Sequence, residues 1–164
     1  IKFSFDETRQ AVVYDANENP IQEVYYVNGK LNGPAKWHDK AGLLVRTASY
    51  FEDKLHGELT DYYGSGQPMR VAQYVLGKLN GSVTEYYEDG SLRREESYVN
   101  DLQEGEAIGY HTNGEISDKA VFREGRRKGD LQRFDTKGKA LDDGSGGGGD
   151  DAPGLKKFVK KFVS

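Results

Sequence analysis

An aromatic residue, or once a histidine, recurs at every twelfth position along most of this chain. The series runs through Tyr14, Tyr26, His38, Tyr50, Tyr62, Tyr74, Tyr86, Tyr98, Tyr110, Phe122 and Phe134. Two glycine series repeat at the doubled period of 24, namely Gly33, Gly57, Gly81, Gly105, Gly129 and Gly42, Gly66, Gly90, Gly114, Gly138. No insertion interrupts either series. Units of a tandem repeat contact only their neighbours, so the pattern predicts an elongated fold with an extended binding surface.

The repeat predicts one domain over residues 1–143. Its units are 26–49, 50–73, 74–97, 98–121 and a shortened 122–143, preceded by a degenerate unit at 2–25. Terminal units of repeat arrays commonly diverge because they cap the stack. We therefore expect the first unit to be a cap.

Each unit contains two turn regions separated by runs rich in Tyr, Val, Thr and Leu. One turn resembles EDG at 88–90, and the other resembles LGKLNG at 76–81. Such runs favour β-strands, and the Gly-containing turns between them favour hairpins. The predicted fold class is all-β, an elongated single-sheet solenoid of tandem 24-residue antiparallel hairpins, with a short C-terminal amphipathic helix.

Successive turns of such a sheet lie at alternate edges, so the aromatic residues are expected to form two rows. One row is Tyr14, His38, Tyr62, Tyr86, Tyr110 and Phe134; the other is Tyr26, Tyr50, Tyr74, Tyr98 and Phe122. Two apolar columns should fill the space between them, namely Ala35, Leu59, Val83, Ala107, Leu131 and Leu44, Pro68, Leu92, Ile116, Ala140. The rows can form the core of a one-layer sheet or an aromatic groove for a ligand, and both interpretations stay open.

The composition argues against catalysis. The chain has no cysteine, which excludes thiolate zinc sites and cysteine nucleophiles. Its histidines, His38, His56 and His111, occupy different repeat positions and lack metal-ligand spacing, and no GxSxG motif occurs. The repeated glycines are not followed by the helix that a phosphate-binding loop requires. We expect a non-catalytic protein without a cofactor.

The last 21 residues differ from the repeats. Residues 144–149 read GSGGGG, the composition of a flexible and typically engineered linker. In residues 150–164 one helical face would carry Leu155, Phe158, Val159, Phe162 and Val163, and the rest would carry Lys156, Lys157, Lys160 and Lys161. A helix of about ten residues is too short to be stable alone in water. The segment therefore needs a surface, and it is a natural tail, a membrane-surface helix or a partner's peptide fused through the linker.

Charge favours the fused peptide. Residues 144–164 carry four lysines and two aspartates, which leaves a net charge of −6 on residues 1–143. An acidic body is a poor partner for nucleic acid, and membrane contact is expected only through the tail. A linker of about ten residues spans roughly 17 Å, which limits docking to the C-terminal half, although a tail-swapped dimer is the alternative. The expected contacts for this lysine-rich helix are Tyr86, Tyr87, Tyr98, Tyr110, Phe122, Phe134, Glu85, Glu106 and Asp130.

The segment 86–116 is similar to a known repeat. Tyr86-Tyr87, Gly90, Tyr98, Gly105 and Tyr110 resemble the bacterial variant of the MORN repeat, found in YwqK-type antitoxin proteins. The resemblance covers about 14–141, with departures at Trp37-His38, Asp53 and Asp101. It implies a grooved, sheet-like interaction module and, as an alternative, an antitoxin that neutralises a toxin. The chain begins at Ile1, so we expect the native start to be missing; the compartment, bacterial cytoplasm or cell envelope, stays open.

Overall fold

Residues 7–141 form one open antiparallel sheet without a helix in the computed structural model, which describes this range. The strands are β1 (Thr8–Tyr14), β2 (Pro20–Val27), β3 (Lys30–Leu31), β4 (Gly33–His38), β5 (Leu44–Phe51), β6 (Lys54–Tyr62), β7 (Pro68–Val75), β8 (Lys78–Tyr86), β9 (Leu92–Val99), β10 (Leu102–Gln103), β11 (Gly105–Tyr110), β12 (Ile116–Arg123), β13 (Arg126–Phe134) and β14 (Ala140–Leu141). They pair in chain order, with β3 beside β2 and β10 beside β9. The predicted all-β sheet of tandem hairpins is confirmed. The predicted linker and terminal helix lie outside the described residues.

Two-residue turns connect the strands at one edge of the sheet. In the turn between β7 and β8, Leu76 and Gly77 have φ angles of 49° and 86°, and Val75 pairs with Lys78. This left-handed geometry matches the right-handed twist of the flanking strands. At this position two units carry aspartate, and Asp101 Oδ1 accepts a 2.8 Å hydrogen bond from the Leu79 N–H of the preceding unit. The departure from glycine at Asp101 thus adds a bond between units.

Longer turns close the opposite edge, and after the first, where Glu18 has a φ of 65°, each has a glycine at this position. At Tyr87–Ser91 the Tyr87 N–H donates to the Ser91 carbonyl at 2.8 Å, and the Gly90 N–H donates to the Tyr87 carbonyl at 2.9 Å. Gly90 has a φ of 85°, which L side chains rarely adopt. The strand register shifts beside five of these turns, as between Glu85 and Tyr86. The positive φ at this turn position therefore explains why glycine recurs there.

The core runs as a band across the middle of one face, here called the alanine face. Its buried members pair across adjacent strands and are Val24, Ala35, Ala48, Leu59, Ala72, Val83, Ala107 and Ala120. Directly paired residues project from the same face of a sheet. The predicted column from Ala35 to Ala107 is thus buried, although Leu131 is half-buried at the open end. The equally buried series that contains Ala48 and Ala72 was not predicted.

The second predicted column lies elsewhere. Its members pair directly with the aromatic row at the glycine-turn edge, as in the pairs Tyr62–Pro68 and Tyr86–Leu92. They are half-buried or exposed. The expectation that this column fills the space between the two rows is wrong, because the turn brings it back beside the aromatic residue that precedes the turn.

The two aromatic rows lie on opposite faces as well as at opposite edges. Tyr98 alternates with Glu96, which pairs with Val83 and therefore lies on the alanine face. Tyr110 instead donates a hydrogen bond to Glu95, which precedes Glu96 on β9. Because successive residues of a strand project to opposite faces, Glu95 and Tyr110 lie on the other side of the sheet. We call this second side the threonine face, after Thr47, Thr60 and Thr84. One groove lined by both rows is incompatible with this arrangement.

Candidate interaction surface

Packing uses the aromatic side chains of the alanine face. Tyr74 and Tyr98 pack against the buried cluster of Ala72, Leu79 and Val83. Small alanines leave room for the tyrosine rings to fold over the band, which is how a one-layer sheet can bury a core. This side of the Tyr98 ring is therefore already occupied by its own fold.

A buried carboxylate interrupts the alanine band. Glu96 is 6% exposed and occupies the position that Ala48, Ala72 and Ala120 hold in other units. It accepts hydrogen bonds from Arg94 Nε at 2.6 Å and from Tyr98 Oη at 2.8 Å. Burial raises the pKa of the Tyr98 phenol far above its usual value, and the Glu96 charge adds to the effect. A buried charge is tolerated only with such partners, so this cluster is structural.

The same cluster continues into the next unit through an unusual glycine. Arg94 Nη1 donates to Asp118 Oδ1 at 3.0 Å, and both residues pair with Gly109, which lies between them. A Cβ on Gly109 would lie 2.2 Å from Asp118 Oδ2. The φ angle of Gly109 is not positive, so space and not backbone freedom requires glycine. The ion pair closes over the bare backbone.

Side chains at the glycine turns join consecutive units. Tyr63 Oη donates to the Tyr86 carbonyl at 2.8 Å, and Tyr87 Oη donates to the Tyr110 carbonyl at 2.7 Å. His111 Nε2 lies 2.9 Å from the carbonyl of Phe134. Tyr87, predicted to contact a partner, therefore already links two units of its own fold.

The threonine face carries an exposed apolar series. Its members lie at or near the two-residue-turn edge and are 42–50% exposed: Phe51, Val75, Val99, Leu102 and Val121. Phe51, Val75 and Val99 repeat every 24 residues. Leu102 pairs with Val99, whereas the equivalent partners of Phe51 and Val75 are Lys54 and Lys78. We call these five residues the apolar stripe. Apolar side chains are directly paired at Val99 and Leu102, whereas lysines interrupt the series beside Phe51 and Val75. Adjacent exposed apolar side chains such as Val99 and Leu102 are candidates for an interaction surface.

Acidic residues lie on one side of the stripe at its fourth unit, while Lys128 pairs with Val121 on the other side. Glu106 is exposed and pairs with Val121, while Asp101 is exposed in the turn next to Leu102. Glu95 lies on the same face and accepts a 2.8 Å hydrogen bond from Tyr110 Oη. That bond, followed by burial and the Glu95 charge, raises the pKa of the Tyr110 phenol. Apolar contact area and negative charge thus lie together on the threonine face.

Charge is divided along the sheet. Residues 52–106 contain twelve acidic and five basic side chains, a net charge of −7, and form what we call the acidic centre. Residues 118–139 contain eight basic and four acidic side chains, a net charge of +4, and form the basic end. No carboxylate of the described chain lies within 4.0 Å of the charged atoms of Lys119, Arg123, Arg126 or Lys128. The sheet therefore has an acidic centre and a basic C-terminal end and is not uniformly acidic.

The sequence-predicted contacts separate into two groups. Tyr98, Phe122 and Glu85 belong to the alanine face, and Tyr86, Tyr110, Phe134 and Glu106 belong to the threonine face. Phe134 lines a shallow cavity of about 280 Å³ with Ile116, Lys119 and Gln132. Asp130 is exposed on β13. Of the predicted contacts on the threonine face, Glu106 pairs with the stripe residue Val121, whereas Tyr110 lies at the other end of β11, at the glycine-turn edge. The stripe itself was not predicted, although its period of 24 is visible in the sequence.

The predicted peptide anchors lie outside the described residues. These are Leu155, Phe158, Val159, Phe162, Val163 and the four lysines Lys156, Lys157, Lys160 and Lys161. Between residues 7 and 141, no cluster of three or more His, Asp or Glu side chains is arranged to hold a metal ion. Over the same range, no helix is long and apolar enough to cross a membrane.

The comparison with known families matches one segment of the chain. Residues 79–100 match the MORN repeat variant. The match lies over β8 and β9 and supports a MORN-repeat protein, a class of repeat that is generally non-catalytic and often mediates interactions. No curated protein matches the chain. The matched segment contains Glu96, Tyr98 and Val99, so it contributes to both faces described above.

Proposed function

We propose that this protein is a non-catalytic interaction module that binds a short, amphipathic, lysine-rich helix of a partner protein. The observation that carries the proposal is the apolar stripe of the threonine face with its acidic surroundings. An apolar helix face needs an apolar surface, and flanking lysines need carboxylates within reach. Val99, Leu102 and Glu106 offer both.

The helix proposed as ligand has the chemistry of residues 150–164. Its apolar positions repeat at i, i+3, i+4 and i+7, and its four lysines occupy the remaining faces. A partner peptide held through a flexible linker would benefit from a high effective concentration, which suits a weak complex. An antitoxin role is the special case in which the helix belongs to a toxin.

Membrane-surface association is the second candidate function. The basic end favours it, because within residues 7–141 no carboxylate lies within 4.0 Å of the charged atoms of Lys119, Arg123, Arg126 or Lys128. These residues also precede a lysine-rich tail in the sequence. Each Lys or Arg near an anionic membrane surface contributes about 1 kcal/mol to the binding free energy. On this candidate the tail lies on lipid and not on the sheet.

Calorimetric titration of a synthetic 150–164 peptide into residues 1–143 distinguishes the two candidates. The interaction module should bind with saturable heat and a negative heat-capacity change, the mark of apolar burial. Phe158→Ala or Phe162→Ala should weaken binding more than any single Lys→Ala substitution, because buried aromatic anchors dominate such interfaces. Lack of heat at high micromolar peptide, with binding of the full chain to anionic vesicles, would favour the membrane candidate.

A further inference from the structure

We infer that residues 142–164 dock on the threonine face of their own sheet and run from the basic end back towards the acidic centre. This inference rests on the proposed function and adds the surface, the occupant and the direction. The apolar positions Leu155 to Val163 would cover Val121, Leu102 and Val99. The lysines would then face Glu106, Asp101 and Glu95.

The order of charges along the tail matches the order of charges along the sheet. The tail begins with Asp142, Asp143, Asp150 and Asp151, and its four lysines follow at positions 156–161. From its C-terminal end inward, the sheet presents the basic end and then the acidic centre. Only a tail that turns back over the sheet places its aspartates over basic strands and its lysines over carboxylates. A tail pointing away from the sheet forms neither set of contacts.

The dimensions of the stripe fit a helix that crosses the strands. Stripe residues on strands of the same kind are two strands apart, roughly 10 Å. Along a helix, Leu155 and Phe162 would be about 10.5 Å apart, at 1.5 Å per residue. Two anchor groups of the peptide can therefore contact neighbouring stripe positions such as Val121 and Val99.

The chain is long enough to reach this surface. Thirteen residues lie between Leu141 and Leu155, and the extended chain from one to the other spans about 46–50 Å. Strand β9, which carries Val99, lies four positions from β14 in the sheet order, about 19 Å away. Phe51 on β5 lies eight positions away, about 38 Å. That distance is within the fully extended reach but well beyond the roughly 20 Å average span of a flexible segment of this length, so docking is expected at the fourth unit and not at the second.

The alanine face is a poorer site for the same helix. Its central residues Ala72 and Ala107 are fully buried, and Tyr98 is held by Glu96. An incoming helix would have to displace these contacts before it could form its own. The threonine face exposes its apolar area without any rearrangement.

Tryptic cleavage of the full chain at the tail lysines tests the surface. Docking protects Lys156–Lys161, so Val99→Asp should accelerate cleavage there by about tenfold or more, the effect of losing roughly 1.4 kcal/mol. Val13→Asp is the matched control, because Val13 is 46% exposed but lies on the alanine face, where it pairs with Gln22. Val13→Asp should leave the rate unchanged. A control that accelerates cleavage as much as Val99→Asp would overturn the assigned surface.

Cysteine pairs test the direction, since the chain has no native cysteine. The expected docking favours a disulfide in Val163→Cys/Val99→Cys over Val163→Cys/Val121→Cys, and the product should be monomeric on a non-reducing gel. A preference for position 121 would show that the tail runs in the opposite direction. A product that is only dimeric would show that the tail docks on the sheet of a second copy and not on its own. Tail cleavage as fast as in the isolated peptide, with no calorimetric binding, would refute the proposed function itself. Calorimetric binding that Val99→Asp leaves intact would refute only this inference.

Discussion

Replacement of Gly109 by alanine should separate Asp118 from Arg94. The added Cβ would lie 2.2 Å from Asp118 Oδ2, 2.9 Å from Asp118 Cγ and 2.8 Å from Ser117 Oγ. The aspartate must rotate away, and its 3.0 Å hydrogen bond with Arg94 Nη1 is lost. Arg94 keeps its 2.6 Å bond with Glu96, so the guanidinium is not left without a partner.

The expected cost follows from these two changes. Loss of a hydrogen bond between charged groups costs about 1.5–3 kcal/mol, and the side chains of Arg94 and Asp118 are only 29% and 25% exposed, so water screens them weakly. Gly→Ala in an allowed conformation returns about 0.4–1 kcal/mol by restricting the unfolded chain. The net destabilisation should be about 1–2 kcal/mol in urea unfolding.

Gly64→Ala is the matched control, because Gly64 has open space around its Cβ position and no positive φ. It should be neutral or slightly stabilising. In the Asp118→Ala background, Gly109→Ala should cost almost nothing, since the group it displaces has been removed. An equal cost of Gly109→Ala in both backgrounds would refute the reasoning and place the strain in the backbone.

Three further outcomes follow from the contacts between units and the buried phenol. Asp101→Ala loses the bond from the Leu79 N–H and leaves a Cβ at a φ of 71° without the side-chain hydrogen bonding that helps aspartate adopt it, so it should cost about 1.5–3 kcal/mol in urea unfolding; Asp101→Gly loses the same bond but relieves the Cβ, and should cost clearly less. Tyr87→Phe removes the 2.7 Å bond to the Tyr110 carbonyl and should cost about 0.5–1.5 kcal/mol, with faster amide exchange around residues 110–114; unchanged exchange there would contradict a role in joining units. The raised pKa of Tyr98 keeps its phenol protonated in the fold after an unfolded tyrosine ionises near pH 10. Its contribution to stability is therefore complete below pH 10 and declines as pH rises above it, so the alkaline absorbance titration should contain one late tyrosine that Tyr98→Phe removes.

The arrangement of the strands could be predicted from sequence because it depends on local turns. The left-handed backbone of the turns favours glycine, as at Gly90 and Gly77. Because the repeat spacing is uninterrupted, the hairpins can be connected in only one order. The faces of the aromatic rows were also within reach. Had the turn at Glu52-Asp53 been recognised as a two-residue turn, Tyr50 would pair with Leu55, and Tyr62, an odd number of residues beyond Leu55, would be assigned to the opposite face.

The site was harder to predict because aromatic residues alone do not show whether their rings are free. Tyr98 and Tyr110 occupy equivalent lattice positions in the sequence, yet Tyr98 packs on the core cluster and Tyr110 lies on the other face. Val99 and Leu102 do not indicate a binding surface from sequence alone, since single exposed apolar residues are common on protein surfaces. Only their pairing across β9 and β10 shows that they are adjacent.

The sequence by itself determined the tandem hairpins, the order of the strands and the division of charge, since each follows from residue spacing and local backbone preference. The tertiary structure decided which aromatic rings are consumed by packing and which apolar side chains stay exposed. It also showed why Glu96, Gly109 and Asp118 depart from their sister units: Arg94 bonds both Glu96 and Asp118, which lies 24 residues further along the chain, and Gly109 pairs with Arg94 and Asp118 between them. Such contacts depend on register and face together. The twelve-residue aromatic lattice specifies the register but not the face.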